Sequence, residues 1–292
     1  MPSLKAIRIR IASVKNTQKI TKAMKLVAAA RLRKAQDTML AARPYSKRVH
    51  EVVSDLAARI AAVDSEPPHP LLAKREVKKV RVVVVSSDRG LAGGYNSNLN
   101  RRVERFMVDE KDRYESIELA PVGRKAREHF RRRKATIVKE YAGVASDSAL
   151  DRARELASDC VTDFLDGKVD AVYIAYNEFK TAISQLIVVQ QLLPLSFGEL
   201  APNEGRNDFE YEPSKKEVLE ALLPLFVEVT LLQVMLEAIA SEFGARMTAM
   251  DNATSNAVDM IGYLTLQFNR ARQAAITKEL MEIVGGAEAL KG

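Results

Sequence analysis

The feature that most constrains this chain is a single helical pattern filling its last quarter, Ser214 to Gly286. It opens on Ser214-Lys215-Lys216-Glu217, a capping box in which the serine bonds a free backbone N–H and the glutamate reaches back. It is expected to close at Gly285-Gly286, where a left-handed C-cap fits. Only Pro224, Gly244 and Gly262 interrupt it. From Leu236 the small or apolar positions run Ile239, Phe243, Met247, Met250, Thr254, Ala257, Ile261, Leu264, Phe268, Ala271 and Ala275. After one four-four step the spacing alternates three and four, which is a coiled-coil seam. Such a helix reaches roughly 100 Å, and a stripe that long needs a second long helix to cover it.

The amino terminus supplies one. Ser3 caps a pattern of Leu4, Ile7, Ile11, Val14, Ile20, Met24, Val27, Ala35 and Met39, unbroken before Pro44. Pro44 is expected to end or kink this helix and to start a second segment, Tyr45 to Val63, followed by a rigid linker at Pro67, Pro68 and Pro70. The two seams are expected to pack as an antiparallel pair. Up to Arg48 there are thirteen Lys or Arg and one acid, Asp37. A merely solvated helix mixes signs for i,i+4 support, so Arg8, Arg10, Lys15, Lys19 and their neighbours imply an acidic partner, phosphate or carboxylate. The whole chain carries +7.

Between the two helices the period changes. Val80–Ser86 reads as a buried strand, Ile117–Val122 as a second, Thr136–Tyr141 as a third and Ala171–Tyr176 as a fourth, with Ile183–Val189 turning back after Glu178-Phe179-Lys180. Helices are expected at Leu99–Asp109, Gly123–Lys134 and Asp147–Leu165. Strands alternating with helices give an open, mostly parallel α/β sheet. The expected fold is therefore mixed: a long antiparallel coiled coil of the N- and C-terminal segments with an inserted Rossmann-like sheet domain. The expected boundaries are 1–63, 78–210 and 214–286, with a polar return from Pro194 to Pro213.

Chemistry is sparse. Gly90, Gly93 and Gly94 follow the first strand, but their spacing is not G-x-G-x-x-G and no Gly-Lys-Ser/Thr follows. They read as a tight turn with close strand–helix packing. One cysteine, Cys160, forbids an intrachain disulfide, and His50, His69 and His129 are scattered, so neither a metal set nor a cysteine–histidine pair is expected. No catalytic residue and no cofactor is assigned. No apolar run approaches the ~20 residues of a membrane span, and Met1-Pro2-Ser3-Leu4-Lys5 is unlike a secretory signal.

Several stretches resemble the gamma subunit of bacterial F-type ATP synthase. Ile11-Ala-Ser-Val-Lys-Asn-Thr-Gln-Lys-Ile-Thr-Lys-Ala-Met-Lys-Leu-Val-Ala-Ala-Ala30 is similar to that family's amino-terminal signature. Ser87 to Asn96 resembles its central loop, with Ala92 where many relatives carry cysteine. Ala245-Arg246-Met247 to Asp251, Tyr263-Leu264 and Asn269 to Thr277, on to Ala287, resemble its carboxyl-terminal signature. No segment with paired cysteines, like the thiol switch of chloroplast relatives, is present.

The resemblance implies a non-catalytic rotor shaft inside a ring of three alpha and three beta subunits. Its α/β foot would stand with the epsilon subunit on the c-ring, peripheral to the cytoplasmic face of the bacterial inner membrane. Proton flow would turn ring and shaft and drive each beta subunit through its nucleotide states. It further implies that Lys22, Met24 and Lys25 face an acidic loop of the beta subunit, and that Arg272, Gln273 and Thr277 engage its catch loop. Two other classes also fit parts of the chain. One is a nucleic-acid-binding basic coiled coil, against which stands the absence of tryptophan and of stacking aromatics. The other is a nucleotide-dependent enzyme built on the sheet.

Overall fold

The computed structural model describes residues 3–61, 69–73, 75–145, 147–197 and 210–289. In order these form α1 (Leu4–Ala61), a 3₁₀ turn at Pro70–Leu72, β1 (Lys79–Val85), α2 (Tyr95–Asp109), β2 (Ser116–Val122), α3 (Arg124–Arg132), α4 (Ala149–Leu165), β3 (Ala171–Phe179), β4 (Gln185–Leu193) and α5 (Lys215–Ala289). The chain divides into two compact units, Ala29–Arg246 and Met1–Ala28 with Met247–Gly292.

In the unit Ala29–Arg246 the sheet order is β2-β1-β3-β4. β1 pairs parallel with β2 and β3, and β4 returns antiparallel on the edge. The valine run of β1 is buried from Val80 to Val85 because both faces are covered. Val83 and Val85 point with Ile174 toward Leu156, Cys160 and Phe164 of α4, and the same core takes in Val53 and Leu56 of α1 and Leu223, Val227 and Leu231 of α5. Val80, Val82 and Val84 point the other way, onto Leu99 and Val103 of α2 and Phe130 of α3. This is the period-2 alternation of a two-sided sheet.

Three expectations about elements change. Thr136–Tyr141 is not a strand; it makes only two isolated bridges, Ile137 to Leu119 and Tyr141 to Val122. Leu119 N–H donates to Thr136 at 2.8 Å, but the next residue of β2 on that side is Pro121, which has no N–H to continue a ladder. Pro44 lies inside one continuous α1 and does not end it. Pro70 opens the 3₁₀ turn capped by His69, whose Nδ1 accepts from Leu71 N–H at 3.1 Å, and Leu71 is fully buried; this is a packed turn, not a linker. The linker residues Pro67 and Pro68, the end of the second segment at Val63 and most of the polar return lie outside the described residues.

In the other unit, α1 and α5 run antiparallel. Lys25 Nζ is 2.6 Å from Asp251 Oδ1, Thr254 Oγ1 is 2.8 Å from Thr21 Oγ1, and the Arg8 guanidinium lies 5.5 Å from the Phe268 ring centroid. The α5 seam is as the spacing predicts: Met250, Ala257 and Leu264 are buried, and Met247, Thr254, Ile261, Phe268, Ala271 and Ala275 are half-buried. The α1 seam is corrected. Ile20 is 60 % and Val27 54 % exposed, whereas Thr21 and Ala28 are buried and Gln18 is half-buried. The three-four alternation carried on from Val14 selects 18, 21, 25 and 28; periodicity overrides side-chain hydrophobicity.

The ends of the helices follow their chemistry. Ser3 Oγ accepts from Ala6 N–H at 3.2 Å. Ser214 Oγ accepts from Glu217 N–H at 3.3 Å, while the Glu217 carboxylate meets the serine hydroxyl at 3.0 Å rather than a backbone N–H. Gly285-Gly286 does not terminate α5, which runs on to Ala289. The positive-φ glycines among the described residues are Gly93, Gly123 and Gly167, so neither glycine of the pair forms a left-handed cap.

α5 is also long and apolar enough, by length and composition, to cross a membrane, which corrects the expectation that no stretch comes near. Its most apolar window is 61 % buried within the protein, as a core helix is, and Leu219, Leu223, Val227 and Leu231 fill the core beside the sheet.

Candidate functional site

Two places could carry function: the carboxyl ends of the strands, where open α/β sheets take ligands, and the two-helix coil. At the strand ends the glycine turn is built for its own backbone. Leu91 and Gly93 have φ of 62° and 56°, and Gly94 precedes α2 as its N-cap. Ser87 N–H donates to Asn96 Oδ1 at 3.1 Å and the Asn96 amide donates to Ser87 Oγ at 2.8 Å, stapling the turn to the first turn of α2.

The anion-holding position beside this turn is already filled. The neighbouring helix α3 also presents an amino terminus of the kind that holds anions. There Asp88 Oδ1 accepts from Arg124 N–H at 2.8 Å. Ser86 Oγ accepts from Ala126 N–H at 2.9 Å and itself donates to the Val122 carbonyl at 3.1 Å. The close approach to backbone that a glycine permits belongs to Gly123; in the Gly90 turn, a Cβ at Gly94 would meet the Asn98 side chain. The φ of Gly123 is 92°, and a Cβ there would lie 2.4 Å from the Ser86 carbonyl oxygen. Gly143 likewise makes room for Asp88, whose carboxylate lies 2.1 Å from where a Cβ would be. The chain's own carboxylate occupies this helix terminus, and α5 reaches the neighbouring turn through Arg246 on the Gly90 carbonyl.

The expected contact residues lie in the unit of Met1–Ala28 and Met247–Gly292. Lys22 is exposed; Met24 and Lys25 are half-buried, and Lys25 is already paired with Asp251. Arg272, Gln273 and Thr277 are all exposed. The register set by Arg8 and Phe268 puts Leu4, the start of α1, opposite the turn that carries Ala271 and Arg272. Beyond that turn α5 has no α1 residue left to face, and every residue from 276 to 286 is exposed. Ile276, Leu280, Met281, Ile283 and Val284 are 50–69 % exposed, an apolar surface left uncovered by the described residues. The structure thus groups Lys22, Met24 and Lys25 on one helix and Arg272, Gln273 and Thr277 on the other, the second set at the open end of the coil.

Asp88 serves local bonding beside the turn, as its place next to the glycines suggests, whereas Gly123, Tyr95 and Arg246 are structural determinants that the sequence reading passes over. Gly123 was detectable as a glycine between a strand and a basic helix. The others act through contacts that no local pattern marks, such as Arg246 on Gly90, 156 positions away.

Comparison with known proteins agrees over the whole length. The family described as "ATP synthase" matches residues 3–290. The ATP synthase gamma chain of Anaeromyxobacter sp. (strain Fw109-5) is 53 % identical over 291 residues, covering 100 % of both chains. That of Geobacter metallireducens is 49 % identical over 292 residues, again covering 100 % of both. In fold, the chain is similar to one in the central stalk and c-ring structure of Tetrahymena thermophila mitochondrial ATP synthase, with TM-score 0.59, 23 % identity and coverage of 80 % of this chain and 99 % of that one. It is also similar to one in the OSCP/F1/c-ring structure of the Euglena gracilis mitochondrial enzyme, with TM-score 0.65, 18 % identity and coverage of 98 % and 94 %. Half of all positions are shared with gamma chains end to end, on the same fold, and the chain belongs to the ATP synthase gamma-chain family.

Proposed function

We infer that this chain is the central shaft of an F-type ATP synthase and couples ion-driven rotation of a c-ring to the conformational cycle of the beta subunits. The observation that carries this reading is end-to-end identity of about half with gamma chains. Its partners are the alpha, beta and epsilon subunits and the c-ring, one shaft per complex, and it works on the cytoplasmic side of a bacterial inner membrane. The chain performs no catalysis itself, a reading supported by the self-filled anion position at Asp88. The division into an amino-terminal helix (1–63), a foot (78–210) and a long carboxyl-terminal helix (214–286) belongs to the same proposal.

The exposed end of α5 fits the sleeve formed by the alpha and beta ring. Arg272 and Gln273 offer a guanidinium and a carboxamide where small neighbours, Ala271, Ala274 and Ala275, let another chain approach. A guanidinium can hold a carboxylate in a two-point fork, and this is the role assigned to Arg272 with Gln273 and Thr277 beside it. On α1, Lys22, Met24 and Lys25 face an acidic beta-subunit loop. The test is Arg272→Ala with Gln273→Ala. ATP synthesis by the assembled complex should fall roughly tenfold, the equivalent of one charge-assisted hydrogen bond, while Arg133→Ala, at the C-cap of α3, leaves it unchanged. Equal, small effects would remove the catch assignment.

A further inference from the structure

Within the unit Ala29–Arg246, the sheet domain meets α5 over one short stretch at three points. The Tyr95 hydroxyl, at the start of α2, donates to the Ala238 carbonyl at 3.0 Å. Arg246 reaches the opposite way: its Nη2 lies 2.6 Å from Glu242 Oε1 and donates to the Gly90 carbonyl at 3.3 Å, and the residue is 8 % exposed. Gly244 meets the turn between β3 and β4, where a Cβ would stand 3.0 Å from the Ala182 carbonyl oxygen. The guanidinium groups of Arg31 and Arg246 each lie 5.7 Å from the Phe243 ring centroid. Asp88 and Arg89, on the same loop as Gly90, complete the charges that act on Glu242.

Most of the remaining α5 interface in this unit is apolar; the Arg154–Glu228 pair, at 2.9 Å, is made by an arginine side chain 59 % exposed. Leu219, Leu223, Val227 and Leu231 pack against an apolar core. Apolar burial is non-directional, so it resists separation of helix and sheet far more than rotation of the helix about its own axis. Hydrogen bonds have preferred angles. A bond from the α2 side, another to the β1–α2 loop and a backbone-to-backbone approach at the β3–β4 turn fix the azimuth of α5.

We propose that α5 from Ala238 to Arg246, together with Gly90, Tyr95 and Ala182, is the joint that carries torque between the α/β sheet and the long helix, with Arg246 as its positioning residue. This rests on the shaft reading above. In ion-driven synthesis the torque enters through the foot and must cross this joint. In hydrolysis by the complex detached from the membrane, α5 is turned directly by the catalytic ring and the foot follows as a free load. Loosening the joint therefore lowers the first activity and spares the second.

The experiment complements a strain lacking the gamma chain with Arg246→Ala, Tyr95→Phe and Arg133→Ala. Respiration-driven ATP synthesis is measured in membrane vesicles, and ATP hydrolysis in the complex stripped from them. Arg246→Ala is expected to lower synthesis roughly tenfold, the worth of one charge-assisted hydrogen bond, and Tyr95→Phe by a smaller factor. Hydrolysis by the stripped complex should stay at the wild-type rate for both, and Arg133→Ala should change neither. Equal losses in the two assays, or no loss in synthesis, would overturn the joint. If Arg246→Ala prevents assembly, Tyr95→Phe carries the same comparison, since it removes one oxygen and little volume. Failure of the wild-type chain to restore synthesis would overturn the shaft reading itself, and the joint with it.

Discussion

Asp163→Asn should cost this protein far more stability than Arg81→Met, although the two residues are partners in one ion pair. Arg81 projects from the middle of β1 with its side chain 8 % exposed; Nη1 lies 2.5 Å from Asp163 Oδ2, and Nη2 lies 3.6 Å from Glu118. Its Nε has no hydrogen-bond partner. Asp163 is 23 % exposed and holds a second cation, Lys168, at 2.9 Å. Removing the carboxylate strands a buried guanidinium on one long contact. Breaking a buried pair this way costs about 3–5 kcal/mol; Glu118 and the partial exposure of Asp163 set the expected loss at roughly 2–4 kcal/mol. Removing the cation leaves Asp163 paired with Lys168 at the surface and replaces an incompletely bonded group by apolar volume, so the change should stay within about 1 kcal/mol either way.

The same pair sets an acid limit. Burial alone would raise the Asp163 carboxyl, but the bonds from Arg81 and Lys168 win and hold it below the ordinary aspartate range. A depressed carboxyl stabilises the fold above its unfolded pKa, near 3.9, and that stabilisation is lost as pH falls through the lower folded value. The variant Asp163→Asn should therefore lose less on acidification than the wild type does. The assay is urea unfolding of the full-length chain followed by tyrosine circular dichroism, since the chain has 8 tyrosines and no tryptophan. Equal losses for the two variants, or a larger loss for Arg81→Met, would refute the reasoning.

Glu237 is 9 % exposed and its Oε2 is buried without a hydrogen bond. Burial raises its carboxyl above the glutamate range, Gln233 on its own helix lowers it, Glu178 raises it, and Arg43 and Lys180 lower it. Its contribution is full below the ordinary glutamate value and is lost as pH rises through the raised one. Glu237→Gln should thus stabilise the chain at pH 7 and leave it unchanged near pH 4; parallel stability curves for variant and wild type would contradict this. Met24→Lys places an ammonium beside the Lys25–Asp251 pair on a half-buried position. The expected result is an assembled complex that makes less ATP per ion translocated, measured as the ratio of synthesis to ion flux. A wild-type ratio would remove the assignment of this segment to the beta-subunit loop.

Much of this fold is legible in the sequence because it is periodic. The α5 seam follows from spacing alone, and the valine run of β1 announces a strand covered on both faces. Where composition competes with period, composition misleads. Ile20 and Val27 are more apolar than Thr21 and Ala28, yet they point outward because a two-helix coil admits only the positions that return every seven residues. Breakers also mislead when the surroundings decide. Pro44 does not end α1, whose flanking turns remain packed at Ala35 and Val53, and Gly285-Gly286 remains helical. The failed strand at Thr136–Tyr141 turns on a missing donor in its neighbour, Pro121, which no reading of residues 136–141 alone reveals. The joint around Arg246 is the least legible, being made of single contacts between residues far apart in sequence. The proposed contact residues Lys22, Met24, Lys25, Arg272, Gln273 and Thr277 come from the resemblance to the family signatures; in the isolated chain they are half-buried or exposed.

The central claim is that this chain is a single shaft within a larger rotary complex. The most direct measurement is native mass spectrometry of the complex purified from mildly solubilised membranes through a tag on this chain. One copy of the chain is expected in an assembly with three alpha subunits, three beta subunits, epsilon and a c-ring. Two or more copies per assembly, or recovery of the chain without the alpha and beta subunits, would contradict it.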